Sequence, residues 1–278
     1  MCQLEASSMF FHPYSTAEIF SAMDIAKLDS VEFWMETPLF WMNGAHIEEI
    51  LVERERYPHL FPIAMHAPIF DLNPCSFNEG VAKLTADYSI ACIDMLSALG
   101  GGVLTVHPGK RTAKRPVSYL DMERFHTYLG RLGEHAGKNV LIALENMPYA
   151  INAHMITPKE MRKTLDEYSW LYFTFDYAHA LQAESAGKID HALSFVDLCG
   201  DRLANIHASM GGVADCMHTP LRGTADGDSL LRKLSSVGYS GRITFEFEDL
   251  NIGNLKRAER MSLLAAEASY FRSGLSAK

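Results

Sequence analysis

Six side chains of the kinds that bind metal ions or move protons recur along this sequence of 278 residues, each near the end of a short apolar segment. They are three imidazoles and three carboxylates, namely His66, His107, Glu145, Asp176, His207 and Glu246. Gathering such groups without partners is unfavourable, because each one loses its hydration. A divalent cation removes that penalty, and mixed imidazole and carboxylate ligands suit Zn²⁺ or Mn²⁺ while remaining compatible with Mg²⁺ or Co²⁺. The residue types therefore predict a divalent-metal site, provided that the fold brings them together.

Taken one at a time, most of these residues have an ordinary structural explanation. His66 and His107 are each followed closely by a proline and could be turn residues, Glu145 could cap a helix, and Asp176 could form an Asx turn. Glu246 is more informative, because it interrupts a predicted strand that is otherwise largely apolar and aromatic. Independent coincidences at the same end of successive strands are not expected, so one shared site is the better interpretation.

The elements that must position these residues alternate between short apolar segments and helical stretches. Strands are predicted over residues 3–7, 31–35, 62–66, 103–107, 140–145, 171–176, 203–207 and 242–247. Near-continuous apolar strands separated by helices indicate a parallel sheet covered by helices. Eight such units in this length favour one α/β domain over residues 1–278, a (β/α)8 TIM barrel with outer helices. The carboxyl ends of the strands would then meet at one mouth, where barrel enzymes hold their chemistry.

Helix starts are marked by capping patterns. Ser15 followed by Glu18 has capping-box spacing, and Thr157 followed by Glu160 has the same spacing with a proline at the first helical position. Apolar residues at three-and-four spacing predict further helices over 78–99, 117–136 and 254–270.

Composition narrows the class of protein. Lys and Arg number 25 and Asp and Glu 34, a formal net charge of −9, which argues against a general nucleic-acid coat protein while allowing a local basic groove. The five cysteines show no CxxC spacing and are expected to be reduced thiols. With no secretory signal or membrane-spanning stretch visible, we expect a cytoplasmic protein that does not act in a membrane, and homo-oligomerisation stays open.

Seven segments, in order along the chain, resemble the xylose-isomerase-like barrel superfamily, which includes sugar-phosphate isomerases and epimerases as well as endonuclease IV. They are HAPIF at 66, VHPGK at 106, ALENMP at 143, FDYAHA at 175, IHASM at 206, HTPLRG at 218 and FEFED at 245. The resemblance implies one common metal ion bound by Glu145, Asp176, His207 and Glu246.

The endonuclease branch of this superfamily implies further ligands. The residues that match His66 and His107 bind a second metal there, which shares Glu145. Those that match His179 and His218 help to hold a third, beside an aspartate. This sequence departs from that branch at Asp215, which lies one residue further from the following histidine than the branch's ligand pair has it.

The first functional hypothesis is isomerisation or epimerisation of a sugar or sugar phosphate. With a divalent metal polarising the sugar carbonyl, Glu145 and Glu246 would act as an acid/base pair that removes and returns a proton through an enediolate. His179 would hydrogen-bond a sugar hydroxyl or support Asp176. The loop after Glu145, which begins with Asn146, resembles the isomerase-type members more than the endonuclease branch.

Other residues are candidates for substrate contact. The full set is His179, His218, Arg222, Lys110, Arg111 and Trp34. Lys110 and Arg111 open a basic run after the fourth predicted strand and could bind a phosphate, although such runs are usually only solvated. Arg222 is a second phosphate candidate, and Trp34 could either wall a small-molecule pocket or pack between a helix and the barrel.

The second hypothesis is hydrolysis of phosphodiesters at abasic sites in DNA, and only under it is DNA a partner. It explains His66 and His107 better, because the chemistry needs extra cations. The spacing of Asp215 and the loop after Glu145 argue against it. A third hypothesis, a metal-stabilised binding protein without catalysis, is disfavoured by the presence of both Glu145 and Glu246.

Overall fold

Eight parallel strands close into a barrel in which each strand pairs with the next along the chain and the last pairs with the first. The computed structural model describes residues 2–211 and 218–276. The strands are β1 (Gln3–Ser7), β2 (Ser30–Trp34), β3 (Ala64–His66), β4 (Gly102–Val106), β5 (Val140–Glu145), β6 (Tyr172–Asp176), β7 (Leu203–His207) and β8 (Arg242–Phe245). This confirms the predicted TIM-barrel architecture.

Helices connect the strands and surround the barrel. They are α1 (Thr16–Ile25), α2 (Pro38–Met42), α3 (Ile47–Arg56), α4 (Glu79–Ala98), α5 (Tyr119–His135), α6 (Pro158–Glu167), α7 (Tyr177–Ser185), α8 (Ser194–Cys199), α9 (Ala225–Ser236), α10 (Asp249–Ile252) and α11 (Arg257–Ser276). Within residues 2–211 and 218–276, no helix is both long and apolar enough to cross a membrane.

The two predicted capping boxes are confirmed. The Ser15 hydroxyl accepts the backbone N–H of Glu18, and the Glu18 carboxylate accepts the N–H of Ser15, which satisfies donors that the first turn of α1 leaves free. Thr157 and Glu160 make the same reciprocal pair at the start of α6. These local patterns therefore fix where both helices begin.

Some predicted boundaries are wrong at the carboxyl ends. β4 ends at Val106, so His107 lies one residue past it. β8 ends at Phe245, and Glu246 follows the strand instead of lying inside it. The reason is that the β8 ladder stops at the pairs Phe245 with Ala6 and Thr244 with His207. Beyond that point the backbone is free to turn and direct side chains into the mouth of the barrel.

The last helix is also shifted from its predicted range of 254–270. Gly253 adopts a positive φ of 100° after α10, which interrupts the helical path. The Glu259 carboxylate then accepts the backbone N–H of Lys256 at 2.7 Å, so α11 begins at Arg257. The helix continues to Ser276 because its inner face packs on the barrel, with Leu264 and Phe271 buried.

The barrel interior is polar, whereas the layer between strands and helices is apolar. Glu32 on β2 accepts hydrogen bonds from Thr105 on β4 and from Asn205 on β7, which are not neighbours of β2. These bonds therefore cross the barrel. Between the strands and helices lie buried aromatic contacts such as Phe173 with Phe195, whose ring centroids are 5.8 Å apart. Four described cysteines, Cys2, Cys75, Cys92 and Cys199, are free thiols.

Candidate metal centre at the carboxyl end of the barrel

Four predicted ligands converge at the mouth of the barrel. Glu145 and Asp176 end β5 and β6, His207 ends β7, and Glu246 follows β8. One ligand atom of each lies within 4.8 Å of the others, and all four residues are buried. The Nδ1 atom of His207 is 3.1 Å from Glu246 Oε2, 3.4 Å from Glu145 Oε1 and 3.7 Å from Asp176 Oδ2. The structure thus surrounds one imidazole nitrogen with three carboxylates.

The lack of hydrogen-bond partners in this group of four residues is what a cation-binding site would show. Asp176 Oδ2, His207 Nδ1 and Glu246 Oε2 are buried, and none has a hydrogen-bond partner among the residues that the structure describes. Buried polar atoms are normally hydrogen-bonded. These three atoms are exceptions, and they face one another. Two carboxylate oxygens and one imidazole nitrogen in this arrangement are ligands that suit a divalent metal ion.

For three of the histidines, a hydrogen bond to a group outside the ligand sets determines which ring nitrogen carries the proton. His207 places Nε2 3.1 Å from the Glu32 carboxylate, which can only accept, so Nε2 carries the proton in the neutral ring. His66 Nδ1 donates to the Ala67 carbonyl at 2.8 Å, and His179 Nδ1 donates to the Asn146 carbonyl at 2.9 Å. In each neutral ring the other nitrogen is left with a free lone pair, as metal ligation requires.

The two glutamates of the centre differ in their affinity for protons. Burial acts to raise the pKa of Glu145, but the imidazoles of His107 and His207 outweigh it and hold that pKa well below its usual value. Burial raises the pKa of Glu246 well above its usual value, and His207 offsets this only in part. Without a bound cation, Glu145 therefore favours the ionised form and Glu246 the neutral form.

Asp176 is held in its ionised form by hydrogen bonds and charge. Burial acts against ionisation, but His179 and His207 bring its pKa to about 2. Its Oδ1 accepts the backbone N–H of His179 at 2.6 Å as the N-cap of α7. Only Oδ2 is then left to face the centre, so the capping role orients the side chain.

Two further groups adjoin the first. His66 and His107 place Nε2 3.3 Å and 2.9 Å from Glu145 Oε2, so these three form a second set of ligand atoms within 4.8 Å of one another. A third set contains Asp176, His179 and His218. Because the sets share Glu145 and Asp176, they form one continuous cluster. The predicted neighbour of the third set, Asp215, lies outside the described residues.

Three of the predicted substrate contacts lie at this centre. The Trp34 ring stacks on His66, with centroids 3.8 Å apart and planes 11° apart. His179 and His218 meet edge to face at 5.4 Å. His218 has a positive φ of 54°, an unusual conformation for a residue other than glycine, and its Nδ1 lies 3.1 Å from Ser209 Oγ. With this backbone conformation the His218 ring lies beside the other two members of the third set, Asp176 and His179.

The predicted phosphate contacts lie in different surroundings. Arg111 donates to the Pro116 carbonyl at 2.8 Å and pairs with Asp121 at 3.5 Å, so its guanidinium is engaged by its own loop and by α5. Lys110 is exposed. Arg222 has an exposed side chain, and its backbone N–H donates to the Glu267 carboxylate at 3.1 Å.

Two residues that matter to the centre were not predicted. Glu32 is fully buried and contacts His207. The sequence contained a signal for it, because this lone carboxylate interrupts the apolar segment SVEFW just as Glu246 interrupts its own segment. Asn146 clamps the backbone of Asp176: its Oδ1 accepts the N–H and its Nδ2 donates to the carbonyl, both at 2.8 Å. The only sequence signal for the contact between Asn146 and Asp176 was that Asn146 directly follows the predicted ligand Glu145.

Comparisons with known proteins agree with the barrel fold. A model of the family described as xylose isomerase-like TIM barrel matches residues 22–273. The uncharacterized protein MJ1188 of Methanocaldococcus jannaschii is 32% identical over 252 residues, which cover 90% of each protein. The structure of D-allulose 3-epimerase from Methylomonas sp. matches with a TM-score of 0.79 at 18% identity, over 99% of this chain and 98% of that one. Endonuclease IV from Thermus thermophilus matches with a TM-score of 0.66 at 16% identity, over 98% and 99%. At such identities the two solved structures share the fold with this chain.

Proposed function

The chain belongs to the xylose isomerase-like TIM barrel family, and on this premise we propose that it is a divalent-metal-dependent isomerase or epimerase of a sugar or sugar phosphate. The observation that carries the proposal is the position of Glu145 and Glu246. Both contribute an oxygen to the same group of ligand atoms, yet they come from β5 and from the end of β8, which are not neighbours in the barrel. A substrate bound at this group would have a carboxyl group on each side.

The bound metal ion would be held by Glu145, Asp176, His207 and Glu246, with Zn²⁺ or Mn²⁺ favoured and Mg²⁺ or Co²⁺ compatible. It would polarise a substrate carbonyl and so acidify the adjacent C–H bond.

The two glutamates would perform the proton transfers. Glu145 takes the proton from carbon as the base, and Glu246 gives a proton back to the opposite face as the acid, with the roles reversed in the reverse reaction. Removal from one face and return to the other inverts the carbon and is an epimerisation. If one glutamate instead carries the proton to the adjacent carbon while the other moves the hydroxyl proton to the former carbonyl oxygen, the reaction is an isomerisation. The required pair of groups is the same.

Substrate contacts would come from residues around the cluster. His179 and His218 would hydrogen-bond sugar hydroxyls, and Trp34 would offer an apolar face beside His66. Arg111 is engaged by Asp121, so a phosphate would depend more on the exposed Lys110 and Arg222. These surroundings suit a free sugar first, and one fold relative is described in complex with D-allulose.

The test is exchange of a carbon-bound proton. Metal-loaded protein is incubated in D₂O with ketohexoses, and then with their phosphates, and the sugars are followed by ¹H NMR. We expect deuterium at the carbon next to the carbonyl together with a second sugar, because a carboxyl base exchanges its proton with solvent. Glu145→Gln and Glu246→Gln should abolish the exchange while circular dichroism shows an intact fold. Absence of exchange in every sugar tested would refute the proposal.

A second candidate function is hydrolysis of phosphodiesters at abasic sites in DNA. The specific observation in its favour is that His66 and His107 join Glu145 in a further set of ligand atoms, while Asp176, His179 and His218 form another. Hydrolysis with two or three cations uses such sets, whereas the proposed epimerisation needs one. Elemental analysis separates the candidates. About one metal ion per chain favours the epimerase, and two to three with cleavage of an abasic duplex favour the hydrolase.

A further inference from the structure

Directly beneath the proposed metal ligands, the barrel interior contains a glutamate that belongs to none of the three ligand sets. Glu32 on β2 is fully buried, and its Oε1 is approached by three donors. Thr105 Oγ1 lies at 3.0 Å, Asn205 Nδ2 at 3.3 Å and His207 Nε2 at 3.1 Å. Donors from two different strands across the barrel therefore hold this carboxylate in one position.

The contact with His207 has a consequence for the ligand atom on the other side of the ring. A carboxylate accepts hydrogen bonds and donates none, so Nε2 must present its proton to Glu32. Nδ1 is then the nitrogen that faces Glu145, Asp176 and Glu246. The negative charge behind the ring also makes the imidazole a more basic ligand.

We propose that Glu32 is a positioning residue of the metal centre: by holding Nε2 of His207, it directs Nδ1 at the three carboxylates and raises the affinity of the site for a divalent cation. The inference rests on the metal site of the proposed function. It concerns binding of the ion, and it is independent of which substrate the enzyme uses.

A purely structural role for Glu32 makes a different prediction. In that case Glu32→Gln, which keeps one acceptor oxygen but loses the negative charge and the second acceptor oxygen, would lower only the free energy of unfolding. It would leave the affinity for metal unchanged in the molecules that fold. Metal affinity measured on folded protein therefore separates positioning from packing.

The experiment compares Glu32→Gln with Glu5→Gln. Glu5 is the matched control, because it is also a fully buried glutamate of the barrel interior and hydrogen-bonds Thr244 at 2.9 Å and Arg242, with no bond to His207 among the described residues. The dissociation constant for Zn²⁺ is measured by competition with a chromogenic chelator, after circular dichroism has confirmed the fold. We expect Glu32→Gln to weaken binding roughly 10- to 100-fold and Glu5→Gln to leave it unchanged. Equal affinity in wild type and Glu32→Gln would overturn the proposal.

A measurement on the wild-type protein keeps the proposal testable if Glu32→Gln does not fold. In Zn²⁺-loaded protein, ¹H–¹⁵N NMR of the His207 ring should show a proton on Nε2 that is protected from solvent, and Zn²⁺ on Nδ1. The His207→Gln spectrum assigns the signal. Ligation through Nε2 would overturn the inference.

The outcomes for this inference and for the proposed function can be told apart. Wild type that binds Zn²⁺ in a Glu32-dependent way and turns over no sugar would support the inference and refute the function. Turnover of sugar with unchanged affinity in Glu32→Gln would refute the inference alone. Absence of binding of Zn²⁺, Mn²⁺, Mg²⁺ and Co²⁺ in wild type would refute both.

Discussion

Trp34 lies flat against His66 at the mouth of the barrel, with ring centroids 3.8 Å apart and an angle of 11° between the planes. His66 in turn places Nε2 3.3 Å from the Glu145 carboxylate. An apolar surface therefore directly adjoins the ligand cluster, and a substrate at that cluster would meet both. This relationship makes Trp34 testable both as a packing residue and as a wall of the site.

Substitution of Trp34 by alanine should affect both stability and substrate binding. Removal of a buried aromatic side chain costs about 3–5 kcal/mol of unfolding free energy, measured by urea denaturation. We also expect KM for the sugar to rise. Trp41→Ala is the control, because Trp41 packs on Tyr88 with centroids 4.9 Å apart. It should lower stability and leave KM unchanged, and an equal rise in KM in both variants would contradict a local role for Trp34.

Substitution of Glu246 by glutamine should separate catalysis from stability. Loss of one member of an acid/base pair lowers kcat by roughly 10²- to 10⁴-fold. The melting temperature of the metal-free protein should stay the same or rise, because Glu246 is a buried carboxyl group that faces Asp176 and Glu145. Steady-state kinetics and thermal melts check both. A large loss of melting temperature with unchanged kcat would indicate a structural site without catalysis.

Removal of metal should destabilise the protein. An ion that binds only the folded state stabilises it by about 2.7 kcal/mol when present at 100 times its dissociation constant. We therefore expect EDTA to lower the melting temperature and added Zn²⁺ or Mn²⁺ to restore it. The Asp176→Asn variant is the comparison, since it removes one ligand charge. A restoration as large in that variant as in wild type would argue that the ion binds elsewhere.

His154 should make stability depend on pH. It is buried, and its Nε2 donates to the Pro108 carbonyl at 3.0 Å. Burial lowers its pKa from 6.5 to about 4. In the unfolded chain His154 binds a proton as the pH falls through 6.5, whereas in the folded protein it does so only near pH 4. The contribution of His154 to the free energy of unfolding is therefore full above pH 6.5 and is lost as the pH falls from 6.5 to about 4.

The size of this effect is at most about 3 kcal/mol, from 1.36 kcal/mol for each unit of pKa shift. Urea unfolding of wild type and His154→Asn between pH 7.5 and pH 4 measures it. We expect the difference in unfolding free energy between the two proteins to shrink towards low pH, because only the wild type loses this contribution. Parallel curves would contradict the assignment to His154.

Much of the architecture is local and could be predicted from residue patterns. Apolar runs alternating with capped helices identified the barrel, and Ser15 and Thr157 begin their helices where the capping boxes indicated. In a parallel barrel all carboxyl strand ends lie on one face, so polar residues at those ends had to meet. The convergence of Glu145, Asp176 and His207 therefore needed only the order of the elements.

The periodicity of the sequence does not predict which side chains from distant segments contact one another. Glu32 and His207 are 175 positions apart, and their contact depends on which way each side chain points across the closed barrel. Arg111 forms an ion pair with Asp121. Glu246 lies just past the end of β8, where the pairing of β8 with its neighbouring strands stops. A pattern of residue types marks a polar group as unusual, but its partner is chosen by strand register and packing, and these exist only once the barrel has closed.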